Sequence, residues 1–353
     1  MKINSKSSNN YIVVNATAIE GGGALSILKQ FIENIPLDDN KWLIFISDKI
    51  HLDKFNENVR IEKISGVKSL FKRFWWDLIG LRKWLRNNKI IPIAKVSLQN
   101  TGFLVGKDIP SFIYFHQSIP FYNKKWNPLI KEQRTLWFYK NVYPIFVKMF
   151  LKKETIIFVQ LDYIKKGFSN YFKHPLKNIV VVHPVIKINK TDNFPLKKEG
   201  IDLFYPTSNF FYKNIVVLIE ALSNTSNNIK LYLTLKDDCN NDKIEYMGPL
   251  TFNEVCGMYE SCDALVFPSY IETYGLPLIE AATRGVPILA ADLPYAREVL
   301  SGYEGVKFIP FNNADAWRCE MEKLEKSKRY KPFDVSNRPS WKELFEKINK
   351  NIF

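Results

Sequence analysis

Residues 264–292 read ALVFPSYIETYGLPLIEAATRGVPILAAD, and this stretch decides the fold. An apolar run ends at Pro268, a polar loop holding Glu272 follows, and Gly275 marks a tight turn. Pro277 sits where a helix favours its first residue, and Gly285 is placed to close that helix as a C′ residue. Residues 287–291 then form a second apolar run. Strand, helix and strand in that order make a parallel βαβ unit, whose helix starts outside the carboxyl edge of the sheet. The N–H groups of such a helix start lack intrahelical partners and the dipole end is positive, so a diphosphate suits the place.

The alternation extends outward in both directions. Upstream, residues 202–206 (DLFYP) and 230–235 read as strands, with a helix over about 214–222 between them. Further back, residues 11–17 (YIVVNAT) are a β-branched run followed by Gly21-Gly22-Gly23 and the amphipathic LSILKQFIENI: strand, glycine turn, helix. Strands are expected at 42–47, 95–99, 112–115, 155–160 and 179–185, with helical patterns over about 68–88 and within 131–153. Residues 187–200, rich in Lys, Asn, Asp and Pro, break the pattern. The chain therefore divides into an N-terminal Rossmann-like domain (1–186), a linker (187–201) and a C-terminal Rossmann-like domain (202–339). A terminal helix (340–353) carries Trp341, Leu344, Phe345 and Ile348 on one face. A chain of 353 residues is long for one core and fits two α/β domains, and two domains imply a cleft for a ligand.

Composition narrows the class. With 46% hydrophobic and 24% charged residues the chain is an ordinary folded protein. Cys239, Cys256, Cys262 and Cys319 have neither a CxxC nor a zinc spacing, which points to scattered buried thiols in a reducing cytoplasm. A secretory leader and a run of about 18 apolar residues are both missing from the sequence, so a cytoplasmic location is expected. Residues 1–190 hold 31 Lys and Arg against 13 Asp and Glu, whereas residues 191–353 hold 19 against 23. The cationic half suits an anionic membrane surface or a phosphorylated acceptor, with a peripheral position on the inner face of the membrane as the consequence. The helical patterns FKRFWWDLIGLRKWLR and LWFYKNVYPIFVKMFLKK mix aromatics with cations; either they lie in a membrane interface or their aromatics cover the sheet. Nucleic acid is the competing partner for a basic half, but the sequence carries no recognisable nucleic-acid-binding motif and none is expected to bind.

Two carboxylates flank the turn at Gly275. Glu280 lies about one turn and a half into the helix, and helical side chains lean toward the N-terminus, so its carboxylate can reach past the phosphates to the vicinal hydroxyls of a ribose. Glu272 would approach the sugar at the other end of the diphosphate. Upstream, YPTSNFFYKNIVVLIEAL places Lys213 beside a helix start, an ammonium where an anion binds.

The string E-T-Y-G-L-P-L-I-E-A, after V-F-P-S and before G-V-P-I-L-A-A-D, resembles the E-x7-E motif of the retaining glycosyltransferases of family 4, the glycosyl transferases group 1. Flanking IEYMGPLTFNEVCGMYESCDALVFPS and LPYAREVL are similar to that family's run into and out of the motif. The resemblance implies the GT-B fold, two Rossmann-like domains facing each other across a cleft, with the terminal helix crossing back to the first. It implies that Lys213, Glu272 and His116 are catalytic. Donor binding falls to Glu280, Gly275, Leu276, Tyr274, Thr273 and Ser208, and to Gly22 and Gly23 of a glycine loop whose backbone approaches the phosphates. Many members carry an arginine where Ser208 stands, five residues before the lysine. His116, after the strand-like FIYF, takes the place of a histidine that contacts the transferred sugar. Gln160 and Lys165 resemble an acceptor-side segment.

The reaction so implied is transfer of a sugar from a nucleotide diphosphate to a cell-surface polysaccharide or lipid-linked glycan, as in lipopolysaccharide or capsule synthesis. Leaving-group stabilisation by Lys213, the Gly275-Leu276 amides and the helix start would drive it, with domain closure expelling water. No cofactor and no essential divalent metal is expected: the sequence has no DxD motif, and Asp237-Asp238 and Asp242 read as a solvated loop. The alternatives are a non-catalytic nucleotide-sugar-binding subunit of the same fold, an epimerase or phosphorylase on that fold, and a nucleic-acid-binding module.

Overall fold

The computed structural model describes residues 10–52, 55–67, 69–106, 108–186, 194–196, 200–225, 228–236 and 241–352. The polar opening of the chain, most of the linker stretch, Asp237-Asp238 and Cys239 lie outside the described residues. The chain forms two compact units, one of residues 1–185 with 338–353, the other of residues 186–337.

The first unit holds strands β1 (Asn10–Ala16), β2 (Trp42–Ser47), β3 (Val59–Ile64), β4 (Ile91–Ser97), β5 (Ser111–Phe115), β6 (Ile156–Val159) and β7 (Ile179–Val181). Its helices are α1 (Gly22–Glu33), α2 (Leu70–Trp75), α3 (Leu81–Asn87), α4 (Arg134–Asn141), α5 (Tyr143–Phe150) and α6 (Asp162–Phe172). The strands form one sheet in the order β3-β2-β1-β4-β5-β6-β7, and every pairing is parallel. β1, β2 and β6 are apolar almost without alternation because helices cover both faces of a parallel sheet. The order reverses between β1 and β4, and ligands bind at the carboxyl edge of such a switch point.

The second unit holds β8 (Ile201–Tyr205), β9 (Ile229–Leu233), β10 (Ile244–Tyr246), β11 (Ala264–Phe267), β12 (Ile288–Ala291) and β13 (Val306–Ile309). They make a second parallel sheet in the order β10-β9-β8-β11-β12-β13, which reverses between β8 and β11. Its helices are α7 (Ile215–Ser223), α8 (Phe252–Ser261), α9 (Leu276–Ala282), α10 (Pro294–Val299) and α11 (Ala314–Met321). The last helix, α12 (Trp341–Ile352), belongs to the first unit. Trp341, Leu344, Phe345 and Ile348 are buried in the same cluster as Phe31 of α1 and Trp42 of β2, and the Phe31 ring lies 5.1 Å from Phe345.

Several local expectations are corrected. The pattern over residues 131–153 is not one helix but two, α4 and α5, because Pro144 in the first turn of α5 has no N–H to continue the ladder. Gly21-Gly22-Gly23 is not a free loop: α1 begins at Gly22, so the glycines form its N-cap and first turn. Pro277 is the second residue of α9 and not its first; Gly285 closes the helix as expected, left-handed at φ 71°, its N–H donating to the Ala282 carbonyl at 3.0 Å and the Val286 N–H to the Ala281 carbonyl at 3.2 Å. Cys256 and Cys262 are buried free thiols, but Cys319 is exposed. Within the two aromatic helical stretches Trp76, Tyr143 and Phe150 are buried, while Phe71, Trp75 and Ile145 are exposed. Among the described residues no helix is long and apolar enough to cross a membrane.

Candidate functional site

The switch point of the second sheet gathers the residues singled out by the E-x7-E stretch. The loop leaving β8 ends in Lys213, and the loop leaving its neighbour β11 carries Glu272. The Tyr270 N–H joins the two loops by donating to the Tyr212 carbonyl at 3.0 Å, and the Tyr295 hydroxyl of α10 holds the second loop by donating to the Ser269 carbonyl at 2.6 Å. Asn214, left-handed at φ 58°, caps α7 and donates through Nδ2 to the Phe311 carbonyl at 2.5 Å. The Lys213 carbonyl accepts from the buried Tyr205 hydroxyl at 2.9 Å. So braced, the Lys213 ammonium meets Glu272 Oε1 at 2.5 Å, each side chain 16% exposed. A lysine and a carboxylate are thus brought together where the strand order reverses.

α9 starts four residues after Glu272. Gly275, its cap, has φ 81° and is buried, while Leu276 and Pro277 are half exposed. The positive φ is what demands glycine there. Thr273 is half-buried and Tyr274 buried. Glu280 is half-buried further along α9 and accepts from the Tyr259 hydroxyl at 3.0 Å. Burial pushes its carboxyl up, and Tyr259 and Arg284 pull it back down. Burial and the neighbouring Glu280 hold the Tyr259 phenol well above its ordinary range, so it stays a donor. Ser208 is exposed in the loop after β8.

The first unit presents its own constellation. Gly22 and Gly23 are exposed, a Cβ at either would meet nothing within 4 Å, and only Gly22, at φ 62°, needs to be glycine. His116 follows β5, half-buried, its N–H donating to Asn100 Oδ1 at 2.6 Å. Burial and the Arg73 cation lower its imidazole to about 4, so it is a neutral group at physiological pH. Gln160 is buried at the end of β6, and Lys165 lies half-buried in α6; they share the sheet edge of His116 without meeting the switch point.

What the sequence reading missed is a buried network at that switch point. Asn15 of β1 donates to Asp77 Oδ1 at 2.7 Å, and Gln99, two residues past β4, donates to the same oxygen at 3.1 Å. Arg73 donates to the Gln99 carbonyl at 2.7 Å and to Thr101 Oγ1 at 2.9 Å. Burial raises the Asp77 carboxyl to about 7, against the pull of Arg73, Asn15 and Gln99. The signal was present in the polar residues that end two apolar strands, Asn15 and Thr17 after YIVV and Gln99 to Thr101 after KVSL.

Residues 187–338 match the model of the family described as glycosyl transferases group 1, and the second unit spans 186–337. This segment belongs to the glycosyl transferases group 1. Over 203 residues the chain is 27% identical to the O-antigen chain mannosyltransferase RfbU of Salmonella typhimurium, covering 53% of this chain and 56% of that protein. The chain thus spans about half the length of that relative, and a fifth or less of the D-inositol 3-phosphate glycosyltransferases it also matches. Among solved structures, WaaG, a glycosyltransferase involved in lipopolysaccharide biosynthesis, is similar with TM-score 0.63 at 15% identity, covering 88% of this chain and 91% of that one. Anabaena HepE, solved with UDP and glucose, is similar with TM-score 0.64 at 11% identity, covering 97% and 98%. At such identities the likeness carries the fold, and the fold of the group 1 segment and its partner unit is GT-B: two Rossmann-like parallel-sheet units.

Proposed function

We propose that the chain is a retaining glycosyltransferase that moves a sugar from a nucleotide diphosphate to a cell-surface polysaccharide or lipid-linked glycan, without an essential divalent metal. The observation that carries this reading is the Lys213–Glu272 pair at the β8/β11 switch point, beside the start of α9. An ammonium beside the positive end of α9, with the Gly275 and Leu276 backbone at its start, suits a diphosphate, and a carboxylate one side chain away suits the hydroxyls of its sugar. Glu280, held by Tyr259, is set to accept from a ribose. The HepE structure with UDP and glucose, and the mannosyltransferase relative, support a nucleotide-sugar donor.

In this mechanism the bond from the anomeric carbon to the diphosphate oxygen breaks first, leaving an oxocarbenium-like sugar and a more negative leaving group. Lys213 and the Gly275-Leu276 backbone stabilise that charge. The acceptor oxygen bonds the same face, and its proton passes to the departing phosphate. His116, neutral at pH 7, contacts the transferred sugar as a hydrogen-bonding group and not as a cation.

Thermal shifts against UDP, GDP, ADP and TDP sugars test the reading. One nucleotide is expected to raise the melting temperature, EDTA to leave the rise intact, and Glu280→Ala to abolish it. Indifference to all four would defeat the assignment.

A further inference from the structure

Tyr259, on α8, reaches across to α9 and donates to Glu280 Oε2 at 3.0 Å. Among the described residues no second group donates to this carboxylate, and Glu280 is half-buried, so its other oxygen is left for a donor from outside. The Tyr259 phenol, by contrast, is fully buried, and its surroundings fix the ring. Phe204 of β8 packs edge to face on it at 5.6 Å, and the Arg284 guanidinium lies 5.7 Å from its centre. Arg329 donates to the Glu260 and Cys262 carbonyls at 2.9 and 2.8 Å, which pins the chain just beyond Tyr259. A rigid hydroxyl thus meets a long, flexible glutamate. A glutamate that its ligand must order takes that entropy out of the binding energy, whereas one ordered beforehand does not.

The charges around Glu280 are few. Burial raises its carboxyl, and the Tyr259 hydrogen bond, then the Arg284 cation, pull it back down. Arg284 donates to the Glu280 backbone carbonyl at 2.8 Å and pairs through Nε with Glu260 of α8 at 3.3 Å. Cys256, also on α8, accepts from Arg284 at 3.2 Å, and burial raises its thiol, so it stays neutral. Without the phenol hydroxyl, Arg284 alone would oppose the cost of burying the carboxylate.

We propose that Tyr259 is a positioning residue for the donor: its hydroxyl holds Glu280 by one oxygen and leaves the other aimed at a pentose hydroxyl of a nucleoside diphosphate. The role rests on the donor site proposed above and adds to it a residue outside the E-x7-E stretch.

Calorimetric titration of the intact protein and of Tyr259→Phe with UDP, GDP, ADP and TDP, each beside its dideoxy counterpart lacking the pentose hydroxyls, tests it. The natural protein should prefer one nucleotide over its dideoxy form. Tyr259→Phe keeps the ring and its packing, so it should weaken that nucleotide about tenfold and leave the dideoxy form unchanged. Equal weakening of both would mean that the hydroxyl only supports the fold around the site, and weakening of neither would mean that it does not act; each overturns the proposal. The same comparison at falling pH needs no variant. Protonation takes an acceptor from Glu280, so the preference for the hydroxylated form should fade in acid, while the phosphates, common to both ligands, cancel. In Tyr259→Phe, which lacks a group that lowers the Glu280 carboxyl, it should fade at a higher pH. A preference in the natural protein that acid does not touch overturns the proposal even if the variant fails to fold. Nucleotide binding without any preference for the pentose hydroxyls sinks the role of Tyr259 and leaves the transferase reading standing, whereas binding of no nucleotide at all defeats both.

Discussion

At the scale of single residues, the Lys213–Glu272 contact fixes two opposite expectations. The ammonium has one of its donors on Glu272. Lys213→Ala removes the cation that a diphosphate would recruit, and a charge-assisted hydrogen bond is worth enough that nucleoside diphosphate affinity should fall by about tenfold or more. Glu272→Gln keeps a side chain of the same shape but releases the ammonium, so affinity for the free nucleotide should rise while sugar transfer falls. Calorimetry on both variants decides: a parallel loss in the two would place Glu272 on the phosphate side and take it away from the sugar. Asp77 supplies a pH test. Its carboxyl titrates near 7 when folded and near 3.8 when unfolded, so the folded state holds the extra proton between those values and the stabilisation is lost as pH rises through 7. His116 and His183, lowered to about 4 chiefly by burial, act in the other sense, losing stability as pH falls from 6.5 through 4. The histidines titrate alike in the natural protein and in Asp77→Asn, so their contribution cancels between the two. From pH 6.5 to 8.5 the natural protein should therefore lose about 1 kcal/mol relative to Asp77→Asn, measured by urea unfolding. The contrast also shows what was legible. Glu272, Lys213 and Gly275 stand in a linear motif, whereas Asn15, Asp77 and Gln99 are 62 and 22 positions apart in their pairings and meet only through the fold.

At the scale of elements, the strands that the sequence left unread share one physical trait. β3, β10 and β13 all lie at the edge of a sheet. β3 reads VRIEKI, with Arg60 and Lys63 turned to water, and β13 reads VKFI with Lys307 exposed. An edge strand buries one side, tolerates charge and gains from it as a guard against mispairing, so its apolar signal is diluted. α6 escaped for another reason: Gly167 interrupts DYIKKGFSNYF, and a Cβ there would sit 2.8 Å from the Phe121 ring. Close packing, not helix propensity, chose that residue. Most central strands, by contrast, were read to within a residue or two, because burial on both faces leaves continuous apolar runs; β4, expected at 95–99, runs Ile91–Ser97, its exposed and half-buried start diluting the signal. The turn after α9 yields a prediction at this scale. Gly285 has φ 71° and a Cβ would meet the Tyr330 carbonyl oxygen at 2.2 Å, a clash with backbone that cannot rotate away. Gly275, at φ 81°, would bring its Cβ to the movable ends of Leu278 and Tyr295 at 3.2 and 3.4 Å. Gly285→Ala should thus cost more than the ~1–2 kcal/mol of the left-handed conformation alone, and Gly275→Ala about that much. Equal losses in denaturant melts would show that Tyr330 gives way.

At the scale of the whole molecule, the chain is threaded so that its last helix completes its first unit. The amphipathic stripe of α12 was readable, since Trp341, Leu344, Phe345 and Ile348 recur at helical spacing. The stripe by itself does not say which core receives it; the structure places it against α1 and the β1–β2 side of the first sheet, where Trp341 Nε1 donates to Gln30 Oε1 at 3.0 Å. Phe345 packs on both Phe31 and Trp42, with ring centres at 5.1 and 5.4 Å. Emptying that position leaves a cavity whose walls belong to three elements and cannot collapse together. Phe345→Ala should therefore destabilise the first unit by about 3–5 kcal/mol. Ending the chain at Ser340 removes all four buried residues at once, more than the ~5–15 kcal/mol that holds a domain folded, so the first unit should unfold. The second unit, with its own sheet and core, keeps every residue it contains and should still melt cooperatively and still be stabilised by the nucleotide that stabilises the full chain. Calorimetric scans of the full and shortened chains distinguish the outcomes: loss of one transition with the nucleotide-sensitive one retained is expected, and simultaneous loss of both would mean that the second unit draws its stability from the first.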